Sequence, residues 1–476
     1  MVLSIKPRLS LVCAALTLLG GAARAESFSA AMPLDGPAAA PIEVALASPP
    51  EDAITPPEVA PAQQDWDIKG QATYVYQKKP AFNAAYTLPG FNSLSPEREQ
   101  SHSLTTTAYF GLRPWSGGEF YYNEEMVLGV PFSGLTGLAG VPNAELQKAA
   151  GPDPLFYRPR MFLRQTWNLG GGTESVASGI NQLAGSVDAQ RLVLTAGNFS
   201  IVDIFDGNAF AHDGRRDFMN WVNVGSGAFD YAADVRGYTW GAALEYYDGD
   251  WALRAGRFVV PRESNGLQLN YSIMNFHGDE VEIEHAHELG GQPGKVRLLA
   301  FRNVELMGSF QDALDYAAAH GGAPDVGNVR RPNVKHGYGV NLEQNVTDDL
   351  GVFGRWSWND GATEMFSYTE VERSLQTGVS LKGSRWGREG DTLGVALVQN
   401  GLSKVHQDYL ADGGTGFLIG DGRINYRPEQ IFETYYSVAV TKASWVTLDC
   451  QHVNNPAYNA DRGPVYIWGV RLHTEF

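Results

Sequence analysis

The alternation in the last twelve residues constrains the fold more than any other feature. Phe476, Thr474, Leu472, Val470, Trp468 and Tyr466 share one face. Glu475, His473, Arg471, Gly469, Ile467 and Val465 share the other. A period of two is that of a β-strand between two unlike environments. One face carries aliphatics between aromatics near both ends, and the other carries charge. A strand of about eleven residues, apolar outward and polar inward, fits a transmembrane barrel better than the edge of a soluble sandwich. The chain also stops on an aromatic residue, Phe476.

At the other terminus, Lys6 and Arg8 precede an apolar core over 9–19, and Ala23-Arg24-Ala25 reads as a small-x-small cleavage site. Residues 1–25 are expected to be a secretory signal peptide. Cys13 lies within it, so Cys450 is left alone and no intramolecular disulfide is expected. Residues 26–65 carry eight prolines from Pro33 to Pro61 and no aromatic after Phe28, the composition of an extended periplasmic linker. Residues 66–476 make up the barrel domain. Beyond the signal no apolar run reaches eighteen residues, so no membrane helix is expected. Eleven Trp, 21 Tyr and 22 Phe suit interfacial girdles. A mean hydropathy of −0.23 suits a barrel with a wet lumen. A formal charge of −17, with no basic cluster, argues against nucleic-acid binding.

About sixteen amphipathic segments of strand length follow Trp66, from 67–77 and 103–112 through to 445–454 and 465–476. Connections alternate between short ones, such as 248–250 and 442–444, and long ones, such as 129–157, 199–235 and 401–430. An all-β, antiparallel transmembrane barrel of the outer membrane has this layout, with short periplasmic turns and long outer loops. An even strand count leaves both termini in the periplasm, with outer-membrane lipid and lipopolysaccharide around the wall. The connection at 170–189 is longer than its place on the short side predicts, and nothing in the sequence accounts for it.

Parity assigns the faces. Tyr338, Val340, Leu342, Trp356 and Trp358 point to lipid; Asn341, Glu343, Arg355 and Ser357 point inward. A turn at 348–350 sets Glu343 opposite Arg355, and the turn at 249–250 sets Glu245 opposite Arg254 inside and Tyr246 opposite Leu253 outside. Glu119, Tyr121, Asn123, Glu125, Arg160, Arg164, Glu433, Tyr435, Thr447, Asp449 and Gln451 also face inward, whereas Cys450 faces out. The segment 199–221 is too rich in apolar residues for an exposed tip. Ile201, Ile204, Phe205, Phe210, Phe218, Met219 and Trp221 need burial, which a loop folded back into the barrel or a lid over its mouth would supply. The residues expected to line the pore are Glu119, Tyr121, Arg160, Arg164, Glu245, Arg254, Glu433 and Tyr435 on strands, with Asp203, Asp206 and Trp221 on this loop.

A wall mixed in sign favours no ion strongly and offers paired hydrogen bonds to vicinal hydroxyls, so neutral polar solutes, especially sugars, fit best. The same pairs also fit a wall whose charges only satisfy one another. His285 and His287 share the parity of Val281 and Ile283, which puts them at the lipid interface rather than around a metal. No nucleophile elbow, zinc-protease motif, phosphate loop or Cys-x-x-Cys occurs, so neither an enzyme nor a cofactor is expected.

Several stretches resemble the carbohydrate-selective porin family, OprB type, of Gram-negative outer membranes. They include Ala196-Gly-Asn-Phe-Ser-Ile-Val-Asp-Ile-Phe-Asp206, Asp217-Phe-Met-Asn-Trp221, Phe229-Asp-Tyr-Ala-Ala-Asp234 and Phe432-Glu-Thr-Tyr-Tyr-Ser437. The longest is Gln451-His-Val-Asn-Asn-Pro-Ala-Tyr-Asn-Ala-Asp-Arg-Gly-Pro464. The resemblance implies a sixteen-stranded barrel passing glucose or related sugars by facilitated diffusion. Cys450, where the family usually has an aromatic, and the proline-rich amino terminus depart from it. A general porin for small polar solutes is the alternative, and both a single barrel and a homo-oligomer remain open.

Overall fold

Each amphipathic segment forms a strand, and pairing of the first strand with the last closes the sheet into an antiparallel barrel of sixteen. This computed structural model describes residues 63–149 and 151–476. The signal-peptide reading of 1–25, and the linker reading up to residue 62, lie outside the described residues. The strands are β1 (Trp66–Lys79), β2 (Glu99–Trp115), β3 (Gly118–Val130), β4 (Leu155–Val176), β5 (Gly185–Phe199), β6 (Thr239–Asp248), β7 (Trp251–Phe258) and β8 (His277–Leu289). They continue with β9 (Gln292–Met307), β10 (Arg331–Asn345), β11 (Leu350–Asn359), β12 (Arg373–Lys382), β13 (Thr392–Gly401), β14 (Glu429–Thr441), β15 (Ser444–Asn454) and β16 (Val465–Glu475). Helices α1 (Phe310–His320) and α2 (Lys404–Ala411) lie in the long connections after β9 and β13.

One rim carries the tight turns, including 116–117, 249–250, 290–291 and 442–443; the opposite rim carries the long loops. These are called the turn end and the loop end below. The expected outward faces hold: Leu342, Trp356, Leu448, Trp468 and Leu472 are exposed, whereas Asn341, Arg355, Asp449 and Arg471 are buried inside. Trp66, Trp115, Trp251 and Phe476 stand exposed near the turn end, and Phe156 and Tyr338 toward the loop end, forming two aromatic girdles. At the closing seam, the Gly70 N–H donates to the Phe476 carbonyl at 2.7 Å and the Phe476 N–H returns the bond at 2.9 Å. A Cβ at Gly70 would lie 2.2 Å from the Phe476 ring, so only glycine lets that ring settle over the seam. His285 stacks on Trp251 at 4.2 Å on the outer face.

The β10–β11 register corrects the sequence reading. Glu343 faces Phe353, and Arg355 faces Asn341. The turn closes earlier than expected because the Leu350 N–H donates to the Thr347 hydroxyl and Val346 pairs with Leu350. The slip is two residues, an even number, so every side chain keeps its predicted face. Glu343 finds its guanidinium on the other neighbour, Arg297, at 3.1 Å.

Sixteen strands enclose more space than wall side chains fill, so inserted chain determines the bore. The segment 200–238 enters from the loop end, as its apolar content required, and buries Ile201, Phe205, Phe218, Met219 and Trp221. It descends past Asn341 and Glu343 to the turn end, where the Arg471 guanidinium donates to the carbonyls of Gly214, Arg216 and Asp217. It climbs back past Glu433, whose carboxylate accepts from the backbone of Met219 and Asn220 and from the Asn223 amide. The loop segment 131–149 also packs inward, burying Leu138, Val141 and Leu146.

The outward parity of Cys450, which is 8 % exposed between Thr434 and Trp468 of the flanking strands, generates one prediction. In detergent the folded protein resists a charged thiol reagent and reacts only after boiling in SDS, as read by mass shift. Fast labelling of the folded form would place the thiol on the wet side. A second follows from the Glu433 anchor. Glu433→Ala orphans buried donors at about 1–3 kcal/mol each. Limited proteolysis should then cut within 200–238 while the barrel stays SDS-resistant; an uncut loop refutes the anchoring role.

Candidate functional site

The passage narrows where the inward loop meets the β2–β4 wall. Asn123 of β3 faces Arg160 of β4, and Glu119 faces Arg164. Arg160 reaches off the wall to grip Asp203 of the loop with two parallel bonds, Nε at 2.7 Å and Nη2 at 2.6 Å. Asp203 is held by its own turn, since it also accepts the Ser200 N–H at 3.0 Å. The Arg160 guanidinium lies 5.2 Å over the Tyr238 ring. This fork-on-carboxylate geometry is rigid, yet only two of the five N–H donors of Arg160 are used on Asp203. With 16 % of the Arg160 side chain and 29 % of Asp203 exposed, both present free hydrogen-bonding edges to water.

A second cluster lies beside the first. Arg215, at the bottom of the loop, binds Glu125 at 2.6 Å and Glu145 at 2.9 Å and donates to the Tyr109 hydroxyl at 3.2 Å. Lys148 adds a bond to Glu145 at 3.0 Å. Burial alone would raise the Glu145 carboxyl, but Arg215 and Lys148 overcome it and hold the group well below the usual carboxylate range. Arg164 stacks 5.2 Å over Tyr121 and lies 3.8 Å from Glu119. Most cations along this side have a carboxylate partner, with Glu119 also binding Arg113 at 2.7 Å, whereas Arg236 stands 4.8 Å over the Tyr157 ring, so the local field is mixed in sign.

Arg160, Asp203, Arg215, Glu145 and Lys148 border a cavity of about 290 Å³ that Tyr109, Trp221 and Tyr238 also line. A second space of about 100 Å³, toward the turn end, is lined by Arg216, Asp217, Thr447 and Arg471. Arg215 borders both.

The residues expected to line the pore divide into two groups. Arg160 and Asp203 come together at the narrowing, Trp221 borders the same cavity with 7 % of its surface exposed, and Glu119 and Arg164, 3.8 Å apart, form a separate pair beside it. The others are covered. Asp206 accepts from Ser226 and from the Asn341 amide. Tyr435 is packed edge-on against Phe218 at 5.0 Å, and Glu433 is fully buried under the loop. Glu245 and Arg254 belong to a buried chain running through Glu282 and Glu284 to Arg297 and Glu343. That chain supplies acceptors for the Asp206 and Ala209 N–H groups. Tyr121 donates to Glu119 at 2.7 Å and accepts the Leu183 N–H.

Sequence reasoning passed over Arg215, Glu145, Lys148, Tyr109 and Tyr238. A signal for the loop residues was present. Leu138, Val141 and Leu146 give 131–154 apolar residues that also need cover, and a Glu145/Lys148 pair sits among them.

The model of the carbohydrate-selective porin family, OprB, matches residues 110–476. No curated protein matches the chain. Among solved structures, the high-pH form of Pseudomonas putida OprB superposes with a TM-score of 0.65 at 16 % identity, covering 87 % of this chain and 94 % of that one. The channel DcaP of Acinetobacter baumannii gives 0.47 at 9 % identity over 88 % and 99 %, too distant to bear on the site. At 16 % identity the first likeness establishes the barrel fold alone. The family match spans most of the chain and every segment that builds the narrowing except its first wall strand. The chain therefore belongs to the carbohydrate-selective porin family and is an outer-membrane channel for sugars.

Proposed function

We propose that sugars cross the narrowing by exchanging hydrogen bonds with water for bonds with Arg160, Asp203, Arg164, Lys148 and Arg215. The single observation that carries this reading is the half-open Arg160–Asp203 fork, strung between wall and inserted loop. A pyranose presents a polar rim of hydroxyls and an apolar C–H face. Guanidinium and carboxylate edges serve the rim, and the rings of Tyr109, Tyr238 and Trp221 serve the face. Because each charged group is already paired, no contact with sugar replaces a naked charge, and each stays weak enough for release. The balance of signs favours neutral solutes over ions of either charge.

Of the expected pore residues, Glu119, Arg160, Arg164, Asp203 and Trp221 keep that role in this proposal. Tyr121, Asp206, Glu245, Arg254, Glu433 and Tyr435 hold the inserted chain in place. The turn end faces the periplasm, a reading supported by its short connections.

Glucose-induced block of ion current through single channels in a planar bilayer tests the reading. Arg160→Ala removes a charged hydrogen-bonding group and weakens block by about fivefold, equivalent to ~1 kcal/mol. It also shifts ion preference toward cations. Asp203→Asn weakens block and shifts preference toward anions. Wild-type block and ion selectivity in both variants would place the sugar contact elsewhere in the lumen and refute the role given to the Arg160–Asp203 fork.

A further inference from the structure

The connection 177–184, which the layout of a porin leaves unexplained, has a specific course. β4 runs past the neighbouring turn at 116–117, and β5 begins before the turn at 249–250, so the two form a hairpin longer than the rim requires. Gly170, Gly171 and Gly172 all have positive φ, at 105°, 82° and 101°. Three such residues in a row are accessible to glycine and bend the arm sharply. The hairpin tip then enters the lumen from the turn end, opposite in direction to the loop 200–238.

The tip is built rather than draped. Gly179 and Gln182 pair across a two-residue turn, with bonds of 2.9 and 3.2 Å, and Asn181 takes the left-handed conformation that Asn tolerates at φ 53°. Asn181 exchanges two side-chain amide bonds with Asn123, at 2.8 and 3.2 Å, and its carbonyl accepts from Arg164 at 3.1 Å. Leu183 is buried against Tyr121 and Phe162, and its N–H donates to the Tyr121 hydroxyl. Lys69 donates to Ser178, which donates to Asp67. These ties bring the tip to the level of Asn123, the strand partner of Arg160.

Ile180, at the apex, is 46 % exposed and borders the same cavity as Arg160, Asp203 and Tyr109. An exposed isoleucine inside a polar lumen has no role in anchoring, which Asn181 and Leu183 already perform. It offers an aliphatic surface beside the Arg160–Asp203 fork, where the C–H face of a sugar would lie while its hydroxyls engage the fork.

We propose that the inward hairpin tip is a second wall of the selectivity filter, with Ile180 as a specificity-determining residue for the pyranose face. The inference rests on the reading of the Arg160–Asp203 fork as the sugar contact. Ile180→Cys, made in a Cys450→Ala background, is treated with a charged methanethiosulfonate reagent in a planar bilayer. Modification should lower single-channel conductance by about half and abolish glucose block, because the adduct fills the narrowing. Ile180→Ser should keep conductance and weaken glucose block severalfold. Failure of the Ile180→Cys thiol to label, or labelling confirmed by mass with conductance and block unchanged, overturns the proposal. The Arg160→Ala and Asp203→Asn channels separate the two readings. If they lose block while the Ile180 variants do not, the hairpin inference alone fails. If they keep wild-type block, the fork reading fails as well, whatever the Ile180 variants do.

Discussion

Chain placed inside a barrel must have its backbone N–H and C=O groups satisfied without a sheet or helix to do it. Most other features of this channel follow from how that demand is met. The wall supplies carboxylates at the heights where loop N–H groups arrive: Glu433 for Met219 and Asn220, Glu343 for Ala209, Glu282 for Asp206, and Glu429 for Ala139, Gly140 and Ala457. Loop carboxylates do the same, as when Asp230 caps the N–H groups of Phe366, Ser367 and Tyr368 while binding Lys335 at 2.9 Å. A carboxylate accepts several such bonds at once and each is charge-assisted, so one side chain fixes a whole turn. Arg355 and Arg471 serve the carbonyls in the converse way. The acidic balance of the chain thus has a structural use inside the wall as well as a solvating one outside.

The narrowing uses the same chemistry with one change. Where anchors are sealed under the loop, the Arg160–Asp203 pair keeps an open edge. Rigidity and accessibility therefore coexist at one height in the barrel. A solute meets preformed hydrogen-bonding edges whose orientation has already been fixed, and none of them must rearrange for it to pass.

How far the sequence was legible depends on which physical signal carried each feature. Period-two alternation placed all sixteen strands and the face of nearly every residue, because burial inside and lipid outside act on each side chain separately. Even the two-residue error beside Thr347 left Arg355 and Glu343 inside. The apolar load of 199–221 likewise disclosed a loop that had to be covered. Parity says only that a residue points inward, however, and not what lies over it. Glu433 and Arg160 looked alike for that reason, although one is sealed beneath Asn220 and the other open to water. The hairpin at 170–189 escaped because its cue was conformational. Three adjacent glycines permit a bend but do not state its direction, and Asn123, which exchanges amide bonds with Asn181, lies 58 residues earlier in the chain.

The spread of the anchors around the ring has a consequence for how the channel is made. The segment 200–238 is fixed by residues of β4, β8, β10, β11 and β14 and finally by Arg471 on β16, the strand that completes the circle against β1. Contacts of this sequence separation form late in folding, after the chain between them has been ordered. Without β16 in place the clamp at the lowest point of the loop is missing. Placement of the last strand thus both closes the wall and fixes the loop inside it.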